Sequence, residues 1–172
     1  MCMRFIYSIC LFLFSVSAFA QNKAIDSLKI LLTSARADTS RIHLLNKLSR
    51  AETEEANFNS AFIYAEKALD LSQKLGYQQG KVLALDNFGI AHTSMGSFDS
   101  AIHYFTLSLV INEKHNFVLA TANSHNNLAI SNWYKGNFSK ALEYFGKALK
   151  VFEKAKDLDQ IGNVHNNMGL VY

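Results

Sequence analysis

Asparagine is the residue whose placement in this chain points to chemistry. Asn46, Asn126 and Asn166 stand in register at multiples of forty residues, with Asp86 as the fourth member of their column. Beside them Asn87, Asn127 and Asn167 align in the same way, with Lys47 completing the column. Asn123 and Asn163 form a third column, one helical turn earlier. A carboxamide donates and accepts at once, so it can pair with both the N–H and the C=O of a peptide unit. A ladder of such groups along one face can hold an extended backbone without demanding a particular sequence. The same amides can instead bond to neighbouring helices and brace a stack, since buried amides often bond to backbone. Both readings stand at this point.

Other reactive groupings are sparse. His125 and His165 also lie forty residues apart. On adjacent helices packed ~8–10 Å apart two such imidazoles can approach each other. No carboxylate or cysteine joins them, and a stable metal site calls for further ligands, so polar surface residues are expected there. Asn137-Phe138-Ser139 matches a glycosylation sequon but opens a helix. The sequence contains no Gly-rich phosphate loop, no Cys/His zinc spacing and no nucleophile elbow. No catalytic residue, no metal site and no cofactor is expected.

The asparagines must be positioned by a repeat. The stretch Asn87–Leu109 returns forty residues later as Asn127–Leu149. A looser copy runs earlier through Leu48, Phe58, Ala61, Tyr64, Ala68 and Leu69, and a fourth begins at Asn167-Met168-Gly169. Phe58, Phe98 and Phe138 share one position, as do Ala61, Ala101 and Ala141, Tyr64, Tyr104 and Tyr144, and Leu69, Leu109 and Leu149. A fixed period of this length marks a repeat protein. Within each unit the apolar residues fall three and four apart, as in Ala141, Tyr144, Phe145, Ala148, Leu149 and Phe152, which is one stripe of a helix. Gly89 and Ala129 are expected to face Ala101 and Ala141 where two helices cross, since a larger side chain there would overpack by about 1–3 kcal/mol. Asn57, Ser97 and Asn137 stand where helix N-caps belong. Gly76 and Asn116 are suited to left-handed C-terminal caps. The pattern predicts helices near 40–55, 58–74, 78–95, 98–113, 118–135, 138–154 and 159–172.

The columns resemble the tetratricopeptide repeat. Phe88-Gly89, Leu128-Ala129 and Met168-Gly169 match its hydrophobic-small pair, Gly96 and Gly136 its turn, Phe105 and Phe145 its second aromatic, and Ala148-Leu149 its closing dipeptide. Ala56, Ala65 and Ser108 depart from the pattern, and the chain has no proline. Its period of forty exceeds the usual ~34 of that family. The six extra residues are expected to lengthen the helices around Gly76 and Asn116. The resemblance, over roughly 40–172, implies an all-α fold, a right-handed solenoid of antiparallel helix hairpins, in units 40–77, 78–117, 118–157 and an incomplete 158–172. It also implies that the first helices line a concave groove where related domains hold peptides. That places Asn46, Lys47, Asp86, Asn87, Asn123, Asn126, Asn127, Asn163, Asn166 and Asn167 in the groove, with Trp133 and Tyr134 supplying apolar pockets.

Residues 1–20 read as a secretory signal, with Arg4 as the positive start, Phe5 to Val16 as the apolar core and Ala18-Phe19-Ala20 as the cleavage site. The run is short for a membrane span, which needs about 20 apolar residues. Both cysteines, Cys2 and Cys10, lie inside it, so the mature chain would have no disulfide or thiol chemistry. Residues 21–38 read as a leading amphipathic helix and loop, with Ala24, Ile25, Leu28, Leu31 and Leu32 on one side, covering the first repeat as solenoid ends require. The net charge of +3 is spread over helix faces with no concentrated basic stripe, which argues against a nucleic-acid partner. The last residues fall inside the first helix of a fourth unit, which suggests the front of a longer protein and an open end through which copies could associate.

Two functions follow. One is an extracytoplasmic recognition module for a protein or extended peptide. Its repeats, leading helix and signal are similar to the sensor regions of bacterial receptor histidine kinases and related membrane regulators. Membrane attachment would then come only through the signal or a following region. The other is a periplasmic scaffold for envelope assembly with no signalling role.

Overall fold

The computed structural model describes residues 23–171 of the 172-residue chain. The signal-like segment lies outside the described residues. Within them the chain forms helices and no strands. Helix α1 covers residues 23–34. It is followed by α2 (Thr39–Glu54), α3 (Phe58–Lys74), α4 (Gln78–Ser94), α5 (Phe98–Lys114), α6 (Val118–Tyr134), α7 (Phe138–Ala155) and α8 (Leu158–Gly169). Most boundaries fall within a residue or two of those predicted, while α8 stops at Gly169.

The forty-residue unit divides into equal halves. Helices α3 to α6 each have 17 residues. Ala56, Gly76, Gly96, Asn116, Gly136 and Lys156 stand twenty residues apart and all have φ between 55° and 83°. At each, the following residue donates its N–H back across the turn, as Ser97 does to His92 O at 2.8 Å and Asn137 to Asn132 O at 2.8 Å. This is the Schellman closure, which satisfies the last carbonyls of the helix. Glycine and asparagine enter the left-handed region readily, whereas Ala56 and Lys156 do so at a cost of about 1–2 kcal/mol each. The extra length of the unit therefore goes into both helices, with the same tight turn at every junction.

One expectation is corrected here. Asn57, Ser97 and Asn137 occupy the N-cap positions, but none of their side chains caps the helix that follows. Their ψ angles lie at 60–64° rather than in the extended region, so the side chains turn back over the helix just ended. Asn57 Nδ2 donates to Glu52 Oε2 at 3.0 Å, and Asn137 Nδ2 to Asn132 Oδ1 at 3.2 Å. Asp38 and Asp157 do act as caps, accepting from Ser40 and Arg41 and from Gln160 respectively.

The hairpins stack through the predicted stripe. Ala61, Ala101, Ala141, Phe105, Phe145 and Phe152 are buried. Gly89 is further constrained by an aromatic ring. A Cβ there would come within 2.5 Å of the Phe105 ring, so the glycine leaves room for that ring. Each helix packs on its sequence neighbours; in addition α2 rests on α4 and α4 touches α6. The second helices α3, α5 and α7 form no comparable layer, so the stack bends toward its first helices and α2, α4 and α6 make the inner face.

Helix α1 covers the near end. Ile25 is buried, Leu28 is half-buried, and Leu32 packs half-buried against the cluster of Leu45 and Ala68, whereas Ala24 and Leu31 face outward, contrary to expectation. Lys29 forms an ion pair at 2.9 Å with Glu52, which is only 3% exposed. Arg41 donates to Leu32 O and Ala35 O, satisfying the carboxyl end of α1.

Candidate ligand groove on the first-helix face

The asparagine columns do not behave as one set. Asn46 and Asn87 are buried and bonded to each other: Asn87 Nδ2 donates to both the carbonyl O and the Oδ1 of Asn46 at 3.0 Å. Asn46 Nδ2 is in turn committed to Ile42 O at 3.1 Å. These two amides tie α2 to α4. Asn127, in the same column as Asn87, makes no side-chain hydrogen bond among the described residues. It lines a cavity of about 210 Å³ with Arg50 from α2 and Ile90, Thr93, Ser94 and Ile130 from α4 and α6, floored by Phe105. Arg50 is held there by an ion pair with Glu54 at 3.1 Å. Thr93 Oγ1 lies 3.4 Å from Ser131 Oγ and links α4 to α6.

The remaining predicted residues divide by exposure. Lys47, Asn123, Asn163 and Asn166 are exposed, and Asn167 is half-buried. Asn126 Oδ1 and Asp86 Oδ1 are buried without a partner among the described residues. Burial pushes the Asp86 carboxyl up to about 7, partly offset by the nearby Ser108 hydroxyl. Trp133 is half-buried and packs on the α6–α7 core. Tyr134 is exposed, with its ring stacked at 5.5 Å on Phe98 of α5. His125 stacks at 5.8 Å on Tyr144, and burial, with the Lys147 charge second, lowers its pKa. His165 is exposed. Among the described residues no group of three or more His, Cys, Asp or Glu is placed to hold a metal ion.

A larger cavity, of about 470 Å³, opens on the same face toward the amino ends of the first helices. It is walled by His43 of α2, Val82 and Leu83 of α4, Phe117, and Val118 and Leu119 of α6, with Asn112 of α5 also lining it. His43 Nε2 and Tyr77 Oη, 3.2 Å apart, close one rim. Sequence reasoning missed this cavity and missed Arg50, Ile90 and Ile130. A signal was present: Leu83 interrupts the polar column of His43, Asn123 and Asn163, and Ile90 and Ile130 repeat at forty residues.

Comparison with known proteins now bears on the repeat. Residues 122–159 match the tetratricopeptide repeat. The match runs from within α6 through α7 to the first residues of α8. No curated protein matches the chain. Among solved structures, the chain is similar to BtubC (BKLC) from P. vanneervenii, with 21% identity, a TM-score of 0.70, and coverage of 89% of this chain and 63% of that one. It is also similar to the apo form of RapI, with 20% identity, a TM-score of 0.75, and coverage of 92% and 45%. A Rap protein complexed with Competence and Sporulation Factor gives 16% identity, a TM-score of 0.70, and coverage of 91% and 51%. The chain thus spans less than two thirds of each of these proteins, and the likeness is one of fold: a helical solenoid of repeats.

Proposed function

We propose that the chain is a non-catalytic recognition module that holds an extended peptide or protein segment along the inner face of α2, α4 and α6. The observation that carries this reading is Asn127, an unengaged amide beside a cavity whose walls come from all three first helices. Such an amide can meet both halves of a passing peptide unit. The two cavities lie along the same helices: His43 to Arg50 and Leu83 to Ile90 are each seven residues, or ~10 Å at 1.5 Å per residue. That distance matches about three residues of extended chain at ~3.3 Å each. A structurally similar Rap protein is known in complex with a factor, which is compatible with this use of the fold.

The signal pattern of residues 1–20 supports export, and with it a sensor role outside the cytoplasm in a signal-transduction protein. No helix among the described residues is long and apolar enough to cross a membrane. The test of the recognition reading is peptide-array selection on the native chain, followed by Asn127→Ala. Affinity for the selected peptide should fall about fivefold, the worth of one neutral hydrogen bond. Unchanged affinity would remove Asn127 from the site. Intact mass of protein recovered from the extracytoplasmic fraction tests export, and mature protein should begin at Gln21.

A further inference from the structure

We propose that Asp86 and Asn127 form a latent clasp between α4 and α6, which closes when the Asp86 carboxyl ionises and draws the Asn127 amide out of the ligand groove. That last consequence rests on the groove reading above. The chain supplies its own template. Asn46 and Asn87 tie α2 to α4, with Asn87 Nδ2 donating at 3.0 Å to both Oδ1 and the carbonyl O of Asn46. Asp86 and Asn127 are the same two positions one unit later. Their junction is open instead: α2 rests on α4, whereas α4 only touches α6. Among the described residues Asn127 makes no side-chain hydrogen bond, and Asp86 Oδ1 is buried without a partner.

The two junctions differ in charge. Asn46 is neutral at every pH, whereas Asp86 has two states. Burial pushes its carboxyl up to about 7, opposed by the nearby Ser108 hydroxyl of α5. No charged side chain of α2, α3, α5 or α6 enters that shift, although α2 exposes Lys47 and Arg50 on the first-helix face. The neutral acid suits the open junction. A carboxylate there is buried with no cation to meet it, which is costly. Its two oxygens accept several hydrogen bonds, so one hydroxyl does not saturate them. The Asn127 amide, which the repeat places opposite, is the donor at hand, and a bond to a carboxylate is roughly twice as strong as one between neutral groups. Closure is a short movement. Thr93 Oγ1 and Ser131 Oγ, 3.4 Å apart, already link the two helices about one turn beyond Asn127.

The test begins without a ligand, by NMR of the labelled native chain from about pH 5 to pH 9. The Asp86 carboxyl carbon should titrate, and the side-chain amide of Asn127 should become protected from exchange with the same midpoint. Its protection relative to free asparagine should rise about tenfold, the scale of a charge-assisted bond. The Asn87 amide, already bonded, should be protected throughout. In Asp86→Asn the protection of Asn127 should not vary with pH. Asn127 protection that ignores the Asp86 titration, or an Asp86 carboxyl that does not titrate in this range, would overturn the clasp. The native chain decides this even if the variant misfolds. A peptide selected on the native chain should then bind about fivefold more tightly near pH 6 than near pH 8, the share of affinity one neutral hydrogen bond supplies. Equal affinity at both values, with the clasp seen to close, would overturn the withdrawal of Asn127 from the groove. A clasp that closes in a chain for which no peptide can be selected counts against the groove reading alone.

Discussion

The Asn87 amide on α4 donates at 3.0 Å to two oxygens of Asn46 on α2, while its repeat equivalent Asn127 donates to none. The two positions should therefore respond differently to the same substitution. Asn87→Ala strands the buried Oδ1 of Asn46, at a cost of about 1–3 kcal/mol. At this chain length that lowers Tm by roughly 2–4 °C per kcal/mol. Asn127→Ala should change stability by no more than about 0.5 kcal/mol. Thermal melts of the two variants check this, and an early melt for Asn127→Ala would assign it a bracing role as well.

Asp86 makes stability depend on pH. Its carboxyl is raised from 3.8 to about 7 by burial. Below pH ~4 both folded and unfolded chains hold the proton; between there and 7 only the folded chain does, so the stability from this group is lost as pH rises through 7. Asp86→Asn supplies the amide found at Asn46 and Asn126. It should flatten the slope and add on the order of 1–3 kcal/mol near pH 8, with little change near pH 4. Urea unfolding at the two pH values reads the difference, and parallel loss in both proteins would place the titrating group elsewhere.

Gly89→Ala sets two effects against each other. Alanine gains about 1 kcal/mol of helix propensity over glycine. The new Cβ would lie 2.5 Å from the Phe105 ring, and overpacking a buried aromatic costs about 1–3 kcal/mol. The ring is fully enclosed, so the clash should win and the variant should lose stability. Phe105→Leu in the same chain should then cost less than it does alone, a coupling that a double-mutant cycle measures.

The stack should open from its far end. Val164 is the only buried residue of α8, which among the described residues packs mainly on α7. Amides of residues 159–169 should exchange fastest among the repeat helices, and those around Ala101 and Ala129 slowest, since solenoid stability comes from nearest-neighbour interfaces. At the near end α1 is held by the Lys29–Glu52 pair, so Lys29→Met should speed exchange across residues 23–34. Hydrogen exchange with mass detection resolves both ends in one experiment, and uniform protection from α5 to α8 would contradict the opening order.

Much of the frame was legible in the sequence because it depends on period. The apolar stripe, the helix lengths and the left-handed turns at Gly76 and Asn116 all follow from residue types at fixed spacing. Ala56 and Lys156 adopt the same turn without carrying its usual residues, so their φ is imposed by the closure around them. Asn57 and Asn137 were legible as the residues that open the second helices, but their bonding was not, because a side chain that turns back to Glu52 or Asn132 looks the same in sequence as one that caps forward. The site was less legible for a related reason. Whether Asn87 meets Asn46 or a ligand depends on contact between helices forty-one residues apart. The large cavity is assembled from turn and helix-end residues that no single repeat contains.

The left-handed residue at every twentieth position makes the polypeptide a string of interchangeable joints. Gly76 and Asn116 close equivalent turns, so excising residues 77–116 would bring Gly76 directly before Phe117 and leave the joint intact. Helix α6 would inherit the place of α4, Asn127 would stand opposite Asn46, and the inner face would be one rung shorter at the same pitch. Excising twenty residues would instead seat an outer helix, with Tyr104 and Phe105, in the layer built for first helices. Length variation in this architecture is quantised in whole units, and the number of units sets the length of the inner face.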